Sequence, residues 1–448
     1  MKTSLTEGSV FKNIVFFSLP YLLSYFLQTL YGMADLIIIG RFNGVAETTA
    51  VSVGSQVMHM LTVMIVGLAM GTTVCIGHAV GKNDRREEER CIGNTVTLFV
   101  LLSVVVTAVL LLLVKPIVAV MSTPAEAASG TADYLTVCFS GIPFITAYNV
   151  IGSVYRGLGD SKSPMYFIAV ACAANIVLDL VFIGVFKMGA AGAALGTVLS
   201  QLISVLISLR FFIRKTGGAF KSDNLKPNRT TAARIIKIGL PVAAQDGLIQ
   251  IAFIVITVIA NSRGLNDAAA VGIVEKIISF VFLVPSSLLS AVSAIGAQSI
   301  GAGKPRRAQL TLRYAVFTAL GFGVAVSLIM QFAAPAAVGL FTKDSAVISA
   351  GGQYLKGYIF DCIFAGIHFS FSGYFCACGK SWLSFLHNIT AIALVRIPWA
   401  YLTLVMFPST LYPMGLATAA GSLVSVIICI AAYAVLTHKK GNEKENEL

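Results

Sequence analysis

Charged side chains are scarce in this sequence. Aspartate, glutamate, lysine and arginine make up 12% of the 448 residues, about half the share found in soluble domains. Hydrophobic residues make up 57%, and the mean hydropathy is +0.85. Too little polar surface remains to cover a water-soluble globule, so lipid must solvate most of the outside.

Residues that build catalytic centres are also few. None of the five histidines pairs with another at metal-ligand spacing, so a membrane-embedded enzyme is not expected. No lysine-containing phosphate-binding loop is present, and ATP-driven pumping is therefore unsupported. The eight cysteines include one close pair, Cys376-x-Cys378, without a CxxC motif. They predict neither a disulfide framework nor a zinc or haem site, and we expect no bound cofactor.

Long apolar runs are what the chain has in abundance. The first, near Asn13 to Ile39, is too long for a cleavable signal peptide and predicts a retained span. The runs are continuous rather than alternating, which predicts helices instead of a β-barrel. At about 20 residues per crossing, they predict an all-α integral membrane protein with twelve spans: 14–39, 51–79, 92–114, 132–155, 164–186, 189–212, 234–260, 271–299, 309–332, 349–375, 384–407 and 412–437.

The basic residues predict the orientation of the chain. The formal net charge is +12, but the bases lie in short breaks between apolar runs, so nucleic-acid binding is not expected. With the N-terminus inside, 24 of the 32 lysines and arginines face the cytoplasm and 5 face outward. This asymmetry follows the positive-inside rule. It predicts a multi-pass protein of the plasma (inner) membrane with both termini cytoplasmic.

Two similar halves follow one another along the chain. Ser18-Leu19-Pro20 recurs as Gly239-Leu240-Pro241, and Met188-Gly189 recurs as Met414-Gly415. The matches keep their order at nearly one offset, with six predicted spans in each half. We therefore predict two pseudo-symmetric six-helix lobes, 1–213 and 234–448, joined by a cytoplasmic linker, 214–233. Tandem six-span halves are typical of transporters, whose substrate path lies in a central cleft between the lobes. Because ATP-driven pumping is unsupported, coupling to an ion gradient remains as the energy source for such a transporter.

Acidic residues inside the predicted spans are the first candidates for a functional site. An aspartate at a span centre costs about 2.5–3.5 kcal/mol on insertion scales, so each needs a reason. Five carboxylates qualify: Asp35, Asp179, Asp246, Glu275 and Asp361.

Geometry groups two of these acids with two polar neighbours. Asp35, Asp179 and Thr197 each lie roughly 7–12 Å below the outer membrane edge, at 1.5 Å rise per residue. Asn175 is one helical turn from Asp179 and shares its face. Two carboxylates, an amide and a hydroxyl can thus converge in the N-terminal half. Such hard oxygen ligands suit Na⁺, and a desolvated carboxylate can alternatively carry a proton.

The second half has no copy of this set. It has Asp246, Glu275 and Asp361 instead, with Arg396 as a possible partner in span 11. Asp361 lies near the middle of span 10, which favours a role in coupling or substrate contact. Glu275 is followed by Lys276 near a membrane edge, where an ion pair is a simple alternative.

Several segments resemble the multidrug and toxic compound extrusion (MATE) family over the whole chain. They are Asp35-Leu36-Ile37-Ile38-Ile39-Gly40-Arg41, Arg156-Gly157-Leu158-Gly159-Asp160-Ser161, Met188-Gly189-Ala190-Ala191-Gly192, the stretch from Pro285 to Gln298, and Gly301-Ala302-Gly303-Lys304. The resemblance implies two six-helix lobes that open alternately to the two sides. It also implies export of amphipathic, often cationic, organic compounds by antiport with Na⁺ or H⁺.

The resemblance also implies which residues act. In prokaryotic members an Asp, Asn, Asp and Thr set binds the coupling cation, and Asp35, Asn175, Asp179 and Thr197 match it. Some members use acids on spans 7, 8 and 10, but Asp361 lies about one turn earlier than that pattern. Tyr31, Met33 and Phe144 are candidate substrate contacts in the cleft. We expect a monomer. The alternative within the same superfamily is a flippase for lipid-linked oligosaccharide precursors.

Overall fold

The computed structural model describes residues 5–216 and 226–445, and these residues form helices joined by short turns. The first half contains α1 (Val10–Phe42), α2 (Val45–Gly81), α3 (Arg85–Leu112), α4 (Val114–Val120), α5 (Ala125–Ser140), α6 (Ile142–Gly157), α7 (Lys162–Asp179) and α8 (Gly189–Thr216). The second contains α9 (Arg229–Asn261), α10 (Leu265–Val281), α11 (Leu283–Gly301), α12 (Pro305–Gly339), α13 (Ser345–Tyr358), α14 (Asp361–Ala377), α15 (Trp382–Ala391), α16 (Ile397–Met406) and α17 (Tyr412–Glu445).

The number of membrane spans agrees with the sequence. Among the described residues, ten helical segments are long and apolar enough to cross a bilayer, and two bent pairs bring the total to twelve if each is one span. The pairs are α5 with α6, bent by 54°, and α13 with α14, bent by 42°. The prediction of an all-helical membrane protein with up to twelve spans is confirmed. Most helices extend a few residues beyond the apolar runs, because helical hydrogen bonding continues into the polar flanks.

Two spans contain a π-helical turn. Leu180–Val185 follows α7 directly, and Ile392–Arg396 joins α15 to α16. A π turn widens the helix by one residue and is frequent at functional sites. The apolar pattern predicts the span but not this local change in winding, since a single extra residue barely alters the run.

The chain divides into two compact units. The first consists mainly of Phe16–Ala243, and the second mainly of Ala244–Ile300 with the chain from Lys304 onward. The predicted linker, 214–233, falls within the sequence range of the first unit, and its residues 217–225 lie outside the described residues.

Small residues bring the helices of the first unit into close contact. A Cβ atom at Gly54 would overlap the ring of Tyr134, and one at Gly141 would overlap Val198. Membrane helices associate through such small-residue contacts, because lipid gives no hydrophobic drive between them. The packing fixes α2, α5, α6 and α8 around a buried core that includes Ile39.

The first turns of α9 belong to the first unit. A Cβ atom at Gly71 in α2 would overlap the carbonyl oxygen of Ile235. Arg234 donates to Glu87 Oε1 at 2.9 Å and contacts His78 Nδ1 at 2.8 Å. These contacts hold the start of α9 against α2 and α3.

The second unit has its own apolar core around Val271, Val274, Tyr354 and Tyr358. Arg263, which the sequence places in an outer loop, links the segment after α9 to the segment after α16. Its guanidinium group donates to main-chain carbonyls that follow α16 and pairs with Asp267 at 2.8 Å. These bonds satisfy carbonyls that have no partner within the helix at its C-terminal end.

Candidate functional site

Asp35 lies on α1 with its carboxylate turned into the first unit. The residue is 5% exposed, and Thr197 Oγ1 on α8 donates a hydrogen bond to its Oδ2 at 3.3 Å. Asp179 and Asn175 are also hydrogen-bonding partners of this carboxylate. A residue of α1 is therefore joined to α7 and α8 at one point.

Asp179 is the last residue of α7 and is fully buried. Asn175, one turn earlier and 1% exposed, donates from Nδ2 to Asp179 Oδ1 at 3.5 Å. The structure thus brings together all four residues that the sequence groups: Asp35, Asn175, Asp179 and Thr197. We call them the four-residue cluster.

Local backbone features position Asp179. The π-helical turn begins at the next residue, Leu180, and changes the winding at this level of the span. On α8, a Cβ atom at Gly196 would overlap Asp179 Oδ1. Glycine at this position therefore leaves the space that the carboxylate occupies.

The start of α8 is anchored separately. Gly189 has a left-handed backbone with φ +58°, which glycine adopts without strain. Glu47 on α2 accepts a hydrogen bond from the Ala190 main-chain nitrogen at 2.6 Å. A carboxylate at a helix N-terminus satisfies an unpaired donor and complements the helix dipole. This contact fixes the helix that presents Gly196 and Thr197.

Three oxygens of the four-residue cluster have no hydrogen-bond partner among the described residues: Asp35 Oδ1, Asn175 Oδ1 and Asp179 Oδ2. Buried polar atoms are nearly always paired, so these oxygens need a further ligand. Two buried carboxylates this close together repel each other when both are charged. A proton on one of them, or a cation bound between them, removes that repulsion. Carboxylate, amide and hydroxyl oxygens are the donors that a hard cation prefers. The cluster therefore fits either Na⁺ or a proton.

A second polar contact lies one turn along the same helices. Tyr31 on α1 has Gln201 on α8 as a hydrogen-bonding partner, and these residues are each four positions from a member of the cluster. Gln201 is 6% exposed, and its Oε1 has no partner in the described part of the chain. Gln201 was not predicted from the sequence, although its spacing of four from Thr197 was available as a signal.

The other two predicted substrate contacts are partly exposed. Met33 and Phe144 are each 37% exposed. Met33 is two residues from Asp35, and positions two apart point to different sides of a helix. Tyr31 interacts with Asp35 of the four-residue cluster, and the roles of all three residues as substrate contacts stay predictions.

The acids of the second unit are dispersed. Asp361, at the start of α14, is fully buried and pairs with Arg396 at 3.2 Å. Thr257 donates to Glu275 at 3.2 Å, and Gln245 donates to Asp246 at 3.5 Å. Each acid thus has its own local partner.

Comparison with known proteins identifies the family. The MatE family model matches residues 20–181 and again residues 241–402. The chain therefore belongs to the MATE family of membrane transporters, which are not enzymes. The resemblance deduced from the sequence is confirmed, and so is the internal repeat, since one model matches both halves.

The individual relatives are bacterial. The chain is 30% identical over 397 residues to the probable multidrug resistance protein YpnP of Bacillus subtilis, with 89% of each protein covered. It is 26% identical over 376 residues to the multidrug export protein MepA of Staphylococcus aureus, covering 84% of this chain and 83% of MepA. A solved multidrug resistance MATE transporter of the MOP superfamily, in an outward-facing conformation, matches with TM-score 0.90 at 22% identity. That match covers 98% of this chain and 99% of the other, and it supports the fold.

Proposed function

We propose that this protein exports amphipathic, often cationic, organic compounds by antiport with Na⁺ or H⁺. The relatives named for multidrug resistance and export support the substrate class. The observation that carries the coupling proposal is the four-residue cluster, with two adjacent buried carboxylates and three unpartnered oxygens.

The cluster couples ion and drug through competition. When a cation or proton binds Asp35 and Asp179, it neutralises their charge and joins α1 to α7 and α8. Drug affinity then falls, and the drug leaves on the outer side. Ion release inside restores drug affinity. Such linkage is reciprocal, so the drug weakens ion binding by the same factor.

Helix α1 has a feature that permits this rearrangement. Pro20 lies inside the helix, and a proline lacks the main-chain donor and kinks the helix there. The segment beyond Pro20 carries both Tyr31 and Asp35. A change of bend at Pro20 therefore moves Asp35, and Tyr31 with it, relative to the cluster residues on α7 and α8.

The charge distribution supports the proposed placement of the chain. We propose that the protein lies in the plasma membrane with both termini in the cytoplasm. This agrees with the predicted spans, which put 24 of the 32 lysines and arginines on that side. We also propose that a monomer is the transporting unit, since each half supplies six of the predicted spans.

The alternative, a flippase for lipid-linked oligosaccharide precursors, has weaker support. A pyrophosphate needs unpaired cations in the transport path, and the spans contain few bases. One of them, Arg396, is already paired with Asp361.

A transport assay tests the proposal and separates the two ions. Purified protein in proteoliposomes is loaded with a fluorescent cationic dye, and a Na⁺ or a proton gradient is imposed separately. One of the two gradients should drive dye movement in the wild type. Asp35→Asn and Asp179→Asn should each abolish this ion-driven dye movement. Asp133→Asn removes the same charge from an exposed position of α5 and should behave as wild type. If neither gradient moves dye, or if both cluster variants retain full ion-driven transport, the proposal is wrong.

A further inference from the structure

The two halves of the chain share a local pattern at equivalent helices. In the first unit, Gly196 and Thr197 lie about two turns into α8, and Thr197 donates to Asp35. In the second unit, Gly421 and Ser422 lie about two turns into α17, and Ser422 is a side-chain hydrogen-bonding partner of Asp361. In each half the residue after the glycine thus presents a hydroxyl to a buried aspartate.

The π-helical turns extend this correspondence. In the first unit the turn follows Asp179, against which Gly196 packs. In the second unit the turn ends at Arg396, and a Cβ atom at Gly421 would lie 3.4 Å from the Cβ of that arginine. The side chain beside the glycine is therefore an aspartate in one half and an arginine in the other.

The charge beside this glycine is therefore negative in the first half and positive in the second. Arg396 Nη2 lies 3.2 Å from Asp361 Oδ2, and the two side chains are 11% and 0% exposed. The guanidinium carbon also lies 5.9 Å from the ring centroid of Phe253. Asp361 consequently has a counter-charge that is covalently part of the chain. Asp35 and Asp179 have each other, and no cation of the chain is paired with either of them in the described residues.

A buried carboxylate is stable only with a compensating charge or a proton. We propose that Arg396 is a tethered cation that fills the ion position of the second half, so that Asp361 neither binds Na⁺ nor takes up a proton during transport. Arg396 is then a specificity-determining residue, because it confines ion coupling to the four-residue cluster. This last part rests on the function proposed above; the pairing of Arg396 with Asp361 does not.

The proposal makes Asp361 a latent cation site. Its second oxygen, Oδ1, has no partner among the described residues. Removing the guanidinium group leaves a buried carboxylate with one hydroxyl partner, and that carboxylate then takes a proton, Na⁺ or an added guanidinium ion from solution.

Thermal denaturation of the purified full-length protein tests this. The variant Arg396→Gln should have a Tm several degrees below wild type, and the loss should be reduced by methylguanidinium, by Na⁺ or by acidification, at constant ionic strength. The double variant Asp361→Asn/Arg396→Gln should regain most of the lost Tm and show no such rescue. Lys343→Gln removes an exposed positive charge from the same unit and should show neither effect. Arg396→Lys should lie between Arg396→Gln and wild type.

The same variants in an Asp35→Asn/Asp179→Asn background separate this proposal from the proposed function. The wild-type response of Tm to the coupling ion should disappear in that background, and Arg396→Gln should introduce a new one. If the wild-type response survives there, the proposed coupling site is wrong while the Arg396 pairing stands. If Arg396→Gln gains no cation or proton dependence in either background, or if the double variant stays as unstable as the single one, Arg396 is not a tethered cation and the inference fails.

Discussion

Gly196 provides a sharp test of the site geometry, because adding one methyl group there affects a single carboxylate. In Gly196→Ala the new Cβ overlaps Asp179 Oδ1 and lies 3.5 Å from the Asp179 main-chain nitrogen. Asp179 is fully buried between its neighbours, so its side chain cannot swing into solvent. Overpacking of this kind costs about 1–3 kcal/mol. If half of a cost in the middle of this range destabilises the ion-bound state relative to the ion-free state, the ion affinity drops several-fold. About 1.4 kcal/mol corresponds to a tenfold change in affinity.

The assay for Gly196→Ala is the ion concentration that gives half-maximal dye transport, together with Tm. We expect the half-maximal concentration to rise and Tm to fall. Gly32→Ala is the matched control, since a Cβ atom there meets nothing within 4 Å, and alanine in a helix is favoured over glycine by about 0.5–1 kcal/mol. If Gly196→Ala matches wild type in both measurements, the close approach of α8 to Asp179 is not what positions the carboxylate.

Three further substitutions probe the supports of the site. Glu47→Ala removes the acceptor at the start of α8 and should cost about 1 kcal/mol of stability, seen as a lower Tm, whereas an unchanged Tm would show that the contact is dispensable. Gly71→Ala places a methyl group against the Ile235 carbonyl and should lower both Tm and the rate of dye efflux; a normal rate would mean that α2 and α9 do not need this contact. Thr197→Val keeps the shape of the side chain but removes the hydroxyl that donates to Asp35. Ion affinity should fall about fivefold for a cost of about 1 kcal/mol, measured as the half-maximal ion concentration, and an unchanged value would exclude the hydroxyl as a ligand.

Much of the architecture could be predicted from the sequence because lipid imposes strong constraints on it. Twelve long apolar runs and the recurrence of Pro20 as Pro241 were enough for the spans and the repeat. The grouping of Asp35, Asp179 and Thr197 rested on depth, which is readable because a helix rises by a fixed distance per residue. Asn175 joined them because it shares a helix face with Asp179, and the family resemblance implied the same set.

Features that depend on contacts between distant helices could not be predicted. From the sequence, Arg396 is only a possible partner of the second-half acids, since a span map gives depth but not the direction of each side chain. The histidines likewise show no metal-ligand spacing in the sequence, whereas His368 and His387, on α14 and α15, have ring centroids 5.3 Å apart. The turn between these helices brings the two histidines together, although their spacing along the chain matches no metal-ligand motif. The role of Gly196 likewise becomes visible only when α7 and α8 are packed.

The most direct test of ion coupling at Asp35 and Asp179 runs the exchange in reverse. In proteoliposomes without an ion gradient, an imposed gradient of dye should drive the coupling ion the opposite way, followed with radioactive sodium or an internal pH indicator. Reciprocity requires this if drug and ion share the site. We predict dye-driven ion movement in the wild type and in Asp133→Asn, and none in Asp35→Asn or Asp179→Asn. Ion movement that persists in both cluster variants, with dye transport intact, would contradict the account.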